Sequence, residues 1–324
     1  MRAIIGAIAS AALLTAVAVI TPARSAEDYP TRPVRIMVGF IPASAADITA
    51  RVLGNGLGKL LGQQFVVENK PGAGSNLAAE ASARAPKDGY SLFLGSSANL
   101  TNQVITPNLG FDMMKDFAPI ALATIAPVIL VVHPSTGVKS VGELIALAKA
   151  KPGEILYAST GVGTAPHLAA ELFDARAGVK MVHVPYQGSP QAVTDLIAGR
   201  TAVMFSPASA VIAQVEAGKL IALASAANKR PSVALNLPTM AEAGMADFDT
   251  SIWFGLMAPA GTPQEIIDKL TRAVPEAIRS SEAQTALKSQ GFDALTGGPE
   301  EFARFMVAET AKWTEAAKAA GLKK

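Results

Sequence analysis

The stretch ASTGVGTAPHLAAELF, residues 158–173, gathers the residue types that could do chemistry. Ser159, Thr160 and Thr164 bring hydroxyls, and Gly161 and Gly163 make a bend. His167 then falls in the first turn of an apolar-periodic run that reads as a helix. A helix start behind a glycine bend exposes N–H groups and favours negative charge. Such a place suits a nucleotide phosphate, a catalytic oxyanion or a substrate carboxylate.

The sharper enzymatic readings fail on spacing. A phosphate loop needs G-x-x-x-x-G-K-[ST]. GNGLGKL at 54–60 puts Leu60 after its Gly-Lys pair and is wrongly spaced. A dinucleotide fingerprint starting at Gly161 would need a third glycine where Pro166 stands, and the nucleophile elbow G-x-S-x-G occurs nowhere. The three histidines, His133, His167 and His183, form neither H-x-x-x-H nor H-E-x-x-H, so no metal and no cofactor are expected. His133 and His183 read as ordinary strand-end residues. For His167 two roles stay open, lining a ligand or ordering its loop on one side and plain capping on the other. A secreted hydrolase pairing a serine-rich loop with His167 is the competing enzyme reading. No triad pattern supports it, and a non-enzymatic protein is expected.

The chain carrying these residues has 324 residues, 50% hydrophobic and 17% charged, enough for two α/β units with sizeable cores. It contains no cysteine, which removes disulfides, thiol catalysis, zinc–thiolate sites and a lipid-modified N-terminal Cys. Residues 1–26 have Arg2, an uncharged run from Ala3 to Ile20, then Pro22 and small residues, the pattern of a secretory signal peptide. Cleavage is expected after Ser25 or Ala26. Arg2 and Arg24 are its only charges, so the remaining chain balances 26 basic against 26 acidic residues. The basic pI of the whole therefore gives no support to nucleic-acid binding.

Elements that could position the site alternate along the chain. RPVRIMVGF (32–40), QQFVVENK and DGYSLFLGSS read as strands, each followed by a loop and a helical run. A second alternation begins at ILVVHPS (129–135), and near Thr250 SIWFGLMAPAGTP leads into three helical stretches. Two βα blocks with a mainly helical tail predict parallel sheets in two lobes, 27–127 plus 250–324 and 128–249. Ligands of such sheets bind beyond the carboxyl ends of the strands, which singles out six loops: 40–47, 72–76, 95–99, 159–164, 186–189 and 206–209.

An ordered set of motifs then gives a resemblance. It comprises YPTRPVRIMVGF, DITARVL, VVENKPGAGSNLAAE, Ala83–Ser97, DFAPIA, SVGELIALAKAKPG, STGVGTAPHLAAELF, VPYQGSPQAVTDLIAGR, LPTMAEAG and WFGLMAPAGTP. The chain resembles, almost end to end, the Bug-type extracytoplasmic receptors of the tripartite tricarboxylate transporter family. The resemblance implies an α/β, type II-like periplasmic binding protein, with two sheets and flanking helices joined by a hinge. It further implies closure on a small organic acid without chemistry, and delivery by a monomer to the permease subunits of a tripartite transporter. A receptor reporting to a membrane sensor kinase would use the same binding physics. Carried onto this chain, Phe40, Ala43, Ser44, Asp47, Ser75, Asn76, Ser96 and Ser97 form one wall; Thr160, Gly163, Thr164 and His167 form the other, beside Tyr186 and Gly188. Thr164 and the N–H groups after Gly163 are expected to hold the acidic group, with His167 ordering the turn. The family's usual Gly-Gly pair is Ala43-Ser44 here, its Val-Asp is Thr201-Ala202, and the polar residue after the following Phe is Ser206, so a different ligand is expected.

Overall fold

A computed structural model describes residues 28–227, 230, 236–246 and 248–322; the leader reading of residues 1–26 lies outside them. The first strands form where the sequence alternates into β-branched runs: β1 (Val34–Val38), β2 (Phe65–Asn69) and β3 (Ser91–Ser96). Helix α1 (Ala45–Leu61) starts at Ser44, whose hydroxyl accepts from the Asp47 N–H at 3.3 Å, and ends on left-handed Gly62. Its buried residues Ala46, Ala50, Leu53 and Leu57 repeat at helical spacing and press on the sheet. Helices α2 (Asn76–Ala83) and α3 (Ser97–Ile105) follow the next two strands.

The sheets are mixed rather than parallel. Strands β4 (Phe117–Ala126) and β10 (Ile252–Pro259) join β1, β2, β3 and a two-residue β11 (Asp293–Ala294) in the order β11-β4-β10-β3-β1-β2. β10 runs antiparallel to both β3 and β4. Every residue of β10 is buried, so the segment read as a lead into helices is a central strand. The second sheet has the order β7-β6-β8-β5-β9, from β5 (Val128–Val132), β6 (Leu156–Ser159), β7 (Val182–Pro185), β8 (Val203–Pro207) and β9 (Ile221–Ser225). Here β6, β7 and β8 are parallel, and β5 is antiparallel to β8 and β9. Helices α4 (Val141–Ala150), α5 (Ala165–Ala177), α6 (Ser189–Ile197) and α7 (Ala208–Glu216) flank it. The chain passes between sheets at Pro127 and again between Ser225 and Ile252. The two crossings are tied by Ala226 N–H to Val128 C=O (2.7 Å) and Thr250 N–H to Ala226 C=O (2.8 Å).

Helices α8 (Gln264–Arg279), α9 (Ser281–Ser289) and α10 (Pro299–Ala319) complete the first sheet's outer layers. On α10 the buried Glu309 accepts from the indole N–H of Trp253 in β10 and of Trp313, both at 3.0 Å. These are the chain's two tryptophans. Glu309→Leu orphans two buried donors at about 1–3 kcal/mol each and should destabilise the chain by roughly 2–5 kcal/mol. Glu309→Gln keeps an acceptor oxygen and should lose less. Urea unfolding followed by tryptophan fluorescence measures both; equal stability of Glu309→Leu and the parent would refute the assignment.

Candidate functional site

Two adjoining cavities lie on the seam between the sheets, and they share Phe40 and Thr160. The inner one encloses about 360 Å³ including its mouth. Five helix starts meet there: Ser44-Ala45-Ala46 of α1, Ser96-Ser97-Ala98 of α3, Thr164-Ala165-Pro166 of α5, Ser189 of α6 and Pro207 before α7. Phe40, Ile252 and Phe254 close the apolar side, and no charged side chain lines it. First-turn N–H groups have no intrahelical partner, and each helix start carries about half a positive charge. Such an arrangement favours an anion without any cation beside it. The outer cavity is walled by Gly39, Gly72–Ser75, Gly161, Val162 and Pro185–Gln187.

The STGVGT loop is braced from beneath. Tyr157 stacks on His183 (4.8 Å between centroids), and His183 stacks on His167 (4.3 Å). His167 Nδ1 accepts the Gly163 N–H at 3.2 Å, so the ring is neutral with that nitrogen bare. His183 Nε2 meets Ser159 Oγ at 2.6 Å, and Ser159 Oγ also accepts the Gly161 N–H. The Tyr157 hydroxyl donates to Glu171. Burial pushes both imidazoles down to about 4, and for His183 the neighbouring His167 adds to it. Ser159 is fully buried and lines neither cavity, so its pairing with His183 is structural and unreachable by a substrate.

The loop is also clasped by the other sheet's layer. Thr101 Oγ1 of α3 donates to the Gly163 carbonyl. Gly163 has φ 74°, and a Cβ built there would stand 2.1 Å from Asn102 Oδ1. Glycine is thus required there for the approach of α3. A second close approach across the seam is Gly188 against Ile41, 2.8 Å for an added Cβ.

Of the predicted site residues, Phe40, Ser44, Ser96, Ser97, Thr160 and Thr164 share the inner cavity, and Ser75 and Tyr186 line the outer one. The Thr164 hydroxyl receives from Thr160 and donates to Gly161 C=O (2.7 Å), so its proton is spent inside the loop. Ala43, Asp47, Asn76, Gly163, His167, Gly188 and Ser206 line neither cavity. Ala43 adopts φ 62°, a conformation that favours glycine. Ser206 is buried and donates to Pro207 C=O. Burial alone would raise the Asp47 carboxyl. Hydrogen bonds from Arg51, the Ala43 N–H and Asn69 outweigh it and hold the group below its ordinary value. Asp47 therefore braces the first loop and presents nothing to the cavity.

Among the inner lining residues, Ala165, Pro166, Ile252 and Phe254 fall outside the six loops singled out in the sequence. His183, read as an ordinary strand residue, is the middle of the ring stack. Thr101 and Asn102 sit inside a helical pattern with no local signal of their role.

The fold is that of a two-sheet solute receptor, with two adjoining cavities at the seam. A sequence model of the tripartite tricarboxylate transporter family receptor matches residues 49–322, and the chain belongs to that family. Among solved structures it is similar to R. palustris Rpa4515 with adipate: 35% identity, TM-score 0.87, covering 90% of this chain and 98% of that one. It is similar to the periplasmic binding protein BugD, with 32% identity, TM-score 0.88 and coverage of 91% and 100%. MatC from Rhodopseudomonas palustris with bound malate gives 30% identity, TM-score 0.84 and coverage of 89% and 99%. The α/β periplasmic-binding-protein fold expected from the sequence is therefore present. No helix among the described residues is long and apolar enough to cross a membrane.

The ring stack predicts an acid response. The two imidazoles, depressed from 6.5 to about 4, bind protons more readily in the unfolded chain, so stability falls as pH drops from 6.5 towards 4. Asp174, raised by burial from 3.8 to about 6, opposes this over nearly the same window. Tyr157 and Glu171 face the same rings. Two groups against one should lower the melting temperature between pH 7 and pH 5, and Asp174→Asn should make that fall steeper. A calorimetric scan series checks both; a flat profile would refute the buried-neutral reading of the histidines.

Proposed function

We propose that this chain is a periplasmic receptor that captures a small carboxylate at the seam and hands it to the permease subunits of a tripartite transporter. The observation that carries the proposal is the meeting of five helix starts, contributed by both sheets, around one cavity that no charged side chain lines. The adipate and malate held by Rpa4515 and MatC support the ligand class. In this reading residues 27–127 and 250–324 form one lobe and 128–249 the other, hinged at the two crossings, and a monomer exported by the leader at 1–26 does the work. Closing brings the α5, α6 and α7 starts onto those of α1 and α3.

The Thr101–Gly163 bond spans the lobes without touching the inner cavity, so it biases closure for any ligand alike. An affinity that depends on the closed population falls in proportion when that population falls. Thr101→Val should weaken every bound acid by about five- to tenfold, as expected for one lost hydrogen bond of about 1 kcal/mol. Calorimetry with C4–C8 dicarboxylates and small-angle scattering provide the test. Parent protein that binds one of these acids should contract on binding, and Thr101→Val should contract less at equal ligand concentration. Absence of binding by every acid would overturn the receptor assignment, and binding without contraction would overturn the closure.

A further inference from the structure

We propose that the inner cavity selects carboxylates that carry no ammonium group, and that Ser97, rather than the STGVGT loop, seats the carboxylate. This rests on the reading of the chain as a carboxylate receptor. The hydroxyls around the cavity differ in what they have left to give. Ser96 donates to Asn99 Oδ1, Thr160 donates to Thr164, and Thr164 donates to Gly161 C=O. Ser44 Oγ accepts the Asp47 N–H and keeps its proton, and Ser189 lines the cavity from the start of α6. Ser97 is different. It is 1% exposed, it lines the cavity, and its Oγ has no hydrogen-bond partner among the described residues. A buried hydroxyl without a partner costs stability, and an acceptor oxygen supplied by the ligand removes that cost.

The position of Ser97 fixes the kind of group it takes. It is the first residue of α3, where the N–H groups of the opening turn and the helix dipole both favour an oxyanion. A carboxylate oxygen there accepts from Ser97 Oγ–H and lies in the field of the α3 start. The facing loop offers less. The Gly163 N–H is taken by His167, its carbonyl by Thr101, and the Thr164 proton by Gly161.

The same features reject a cation. An ammonium group needs an anion or several acceptors, and no Asp, Glu, Asn or Gln lines the cavity. Asp47, one turn from Ser44, turns its carboxylate to Arg51, Asn69 and the Ala43 N–H. The starts of α3, α5, α6 and α7, which carry no acidic residue in their first turns, add repulsion. An α-amino acid would strip water from its ammonium group and receive nothing in return, whereas the matching plain acid buries only methylene against Phe40, Ile252 and Phe254.

The experiment uses probe pairs that differ only by an amino group: succinate and L-aspartate, glutarate and L-glutamate, hexanoate and L-norleucine. Calorimetry at pH 7.5 is run on the parent and on Ser97→Ala, and melting of the ligand-free proteins is recorded. We expect the plain acid of at least one pair to bind, and its amino partner to bind at least about a hundredfold more weakly. Ser97→Ala should weaken the plain acid by about ten- to a hundredfold, the size of one charge-assisted hydrogen bond. Its ligand-free melting temperature should be unchanged or higher, because an unsatisfied hydroxyl has been removed. Ser96→Ala, which loses the hydroxyl that donates to Asn99 Oδ1, should melt lower. Amino acids that bind as tightly as their plain partners, or instead of them, overturn the selectivity while leaving the receptor assignment standing. Unchanged affinity in Ser97→Ala, or a ligand-free melting point several degrees lower, overturns the role of Ser97. Binding by no member of any pair overturns the receptor assignment and this inference with it.

Discussion

The peptide at Gly163 is held from two sides, and the geometry of the binding seam depends on it. Its N–H points down to His167 Nδ1, within the layer of the second sheet, and its C=O receives Thr101 from the layer of the first. A single residue thereby couples the shape of a loop to the approach of two sheets. The coupling works because the loop's foundation is stiff. Tyr157, His183 and His167 form a stack of flat rings beneath it, and Ser159 ties that stack to Gly161. Neutral imidazoles suit this position: each nitrogen can accept or donate as required, and neither carries a charge that burial would penalise.

Stiffness of that kind has a cost for recognition. Polar groups that fix the loop are no longer available to a ligand, so in the proposed function binding falls to the helix starts around the cavity. A buried arginine or lysine in such a cavity would need a partner whenever the site was empty, or lose much of its solvation without return. Helix starts avoid that difficulty, because their positive ends are fractional and belong to a backbone that is hydrogen-bonded elsewhere. The chain does use one strong ion pair near the site, Arg51 with Asp47, and spends it on the first loop's shape. The division is consistent throughout: charges and rings brace the walls, while neutral donors face the cavity.

This division also explains how much could be read from the sequence. Strands β1, β2 and β3 and the helices after them were legible because alternation, a capping serine and glycine stops each act locally. The six loops beyond strand ends were legible for the same reason, and they supply most of the inner lining. β10 was not, since a strand buried on both faces loses alternation, and Ile252–Pro259 reads as an undivided apolar run. Its antiparallel entry between β3 and β4 turned an expected parallel sheet into a mixed one. The family resemblance grouped Gly163 with Thr164, which lines the inner cavity, because a glycine bend before a helix looks the same whether its groups face a cavity or another helix. Only the packing of α3 separates the two, and Thr101 and Asn102 carry no mark of it in their own neighbourhood.

The crossings between sheets complete the physical picture. Both run through a small patch where Ala226 is bonded to Val128 and to Thr250, so the two linking segments are tied side by side. Paired segments resist twisting more than one would, and the motion they leave easiest is bending about the line across them. In the proposed closure that bend carries the starts of α5, α6 and α7 towards those of α1 and α3, along with the Gly163 peptide towards Thr101. The clasp and the cavity then form in one movement. A solute gains from both sheets only in that arrangement, so its affinity is the product of what it contacts and how readily the seam closes without it. Residues in the cavity set the first factor and residues on the seam set the second. The two can therefore change separately, which lets one frame accept different acids while its closing action stays the same.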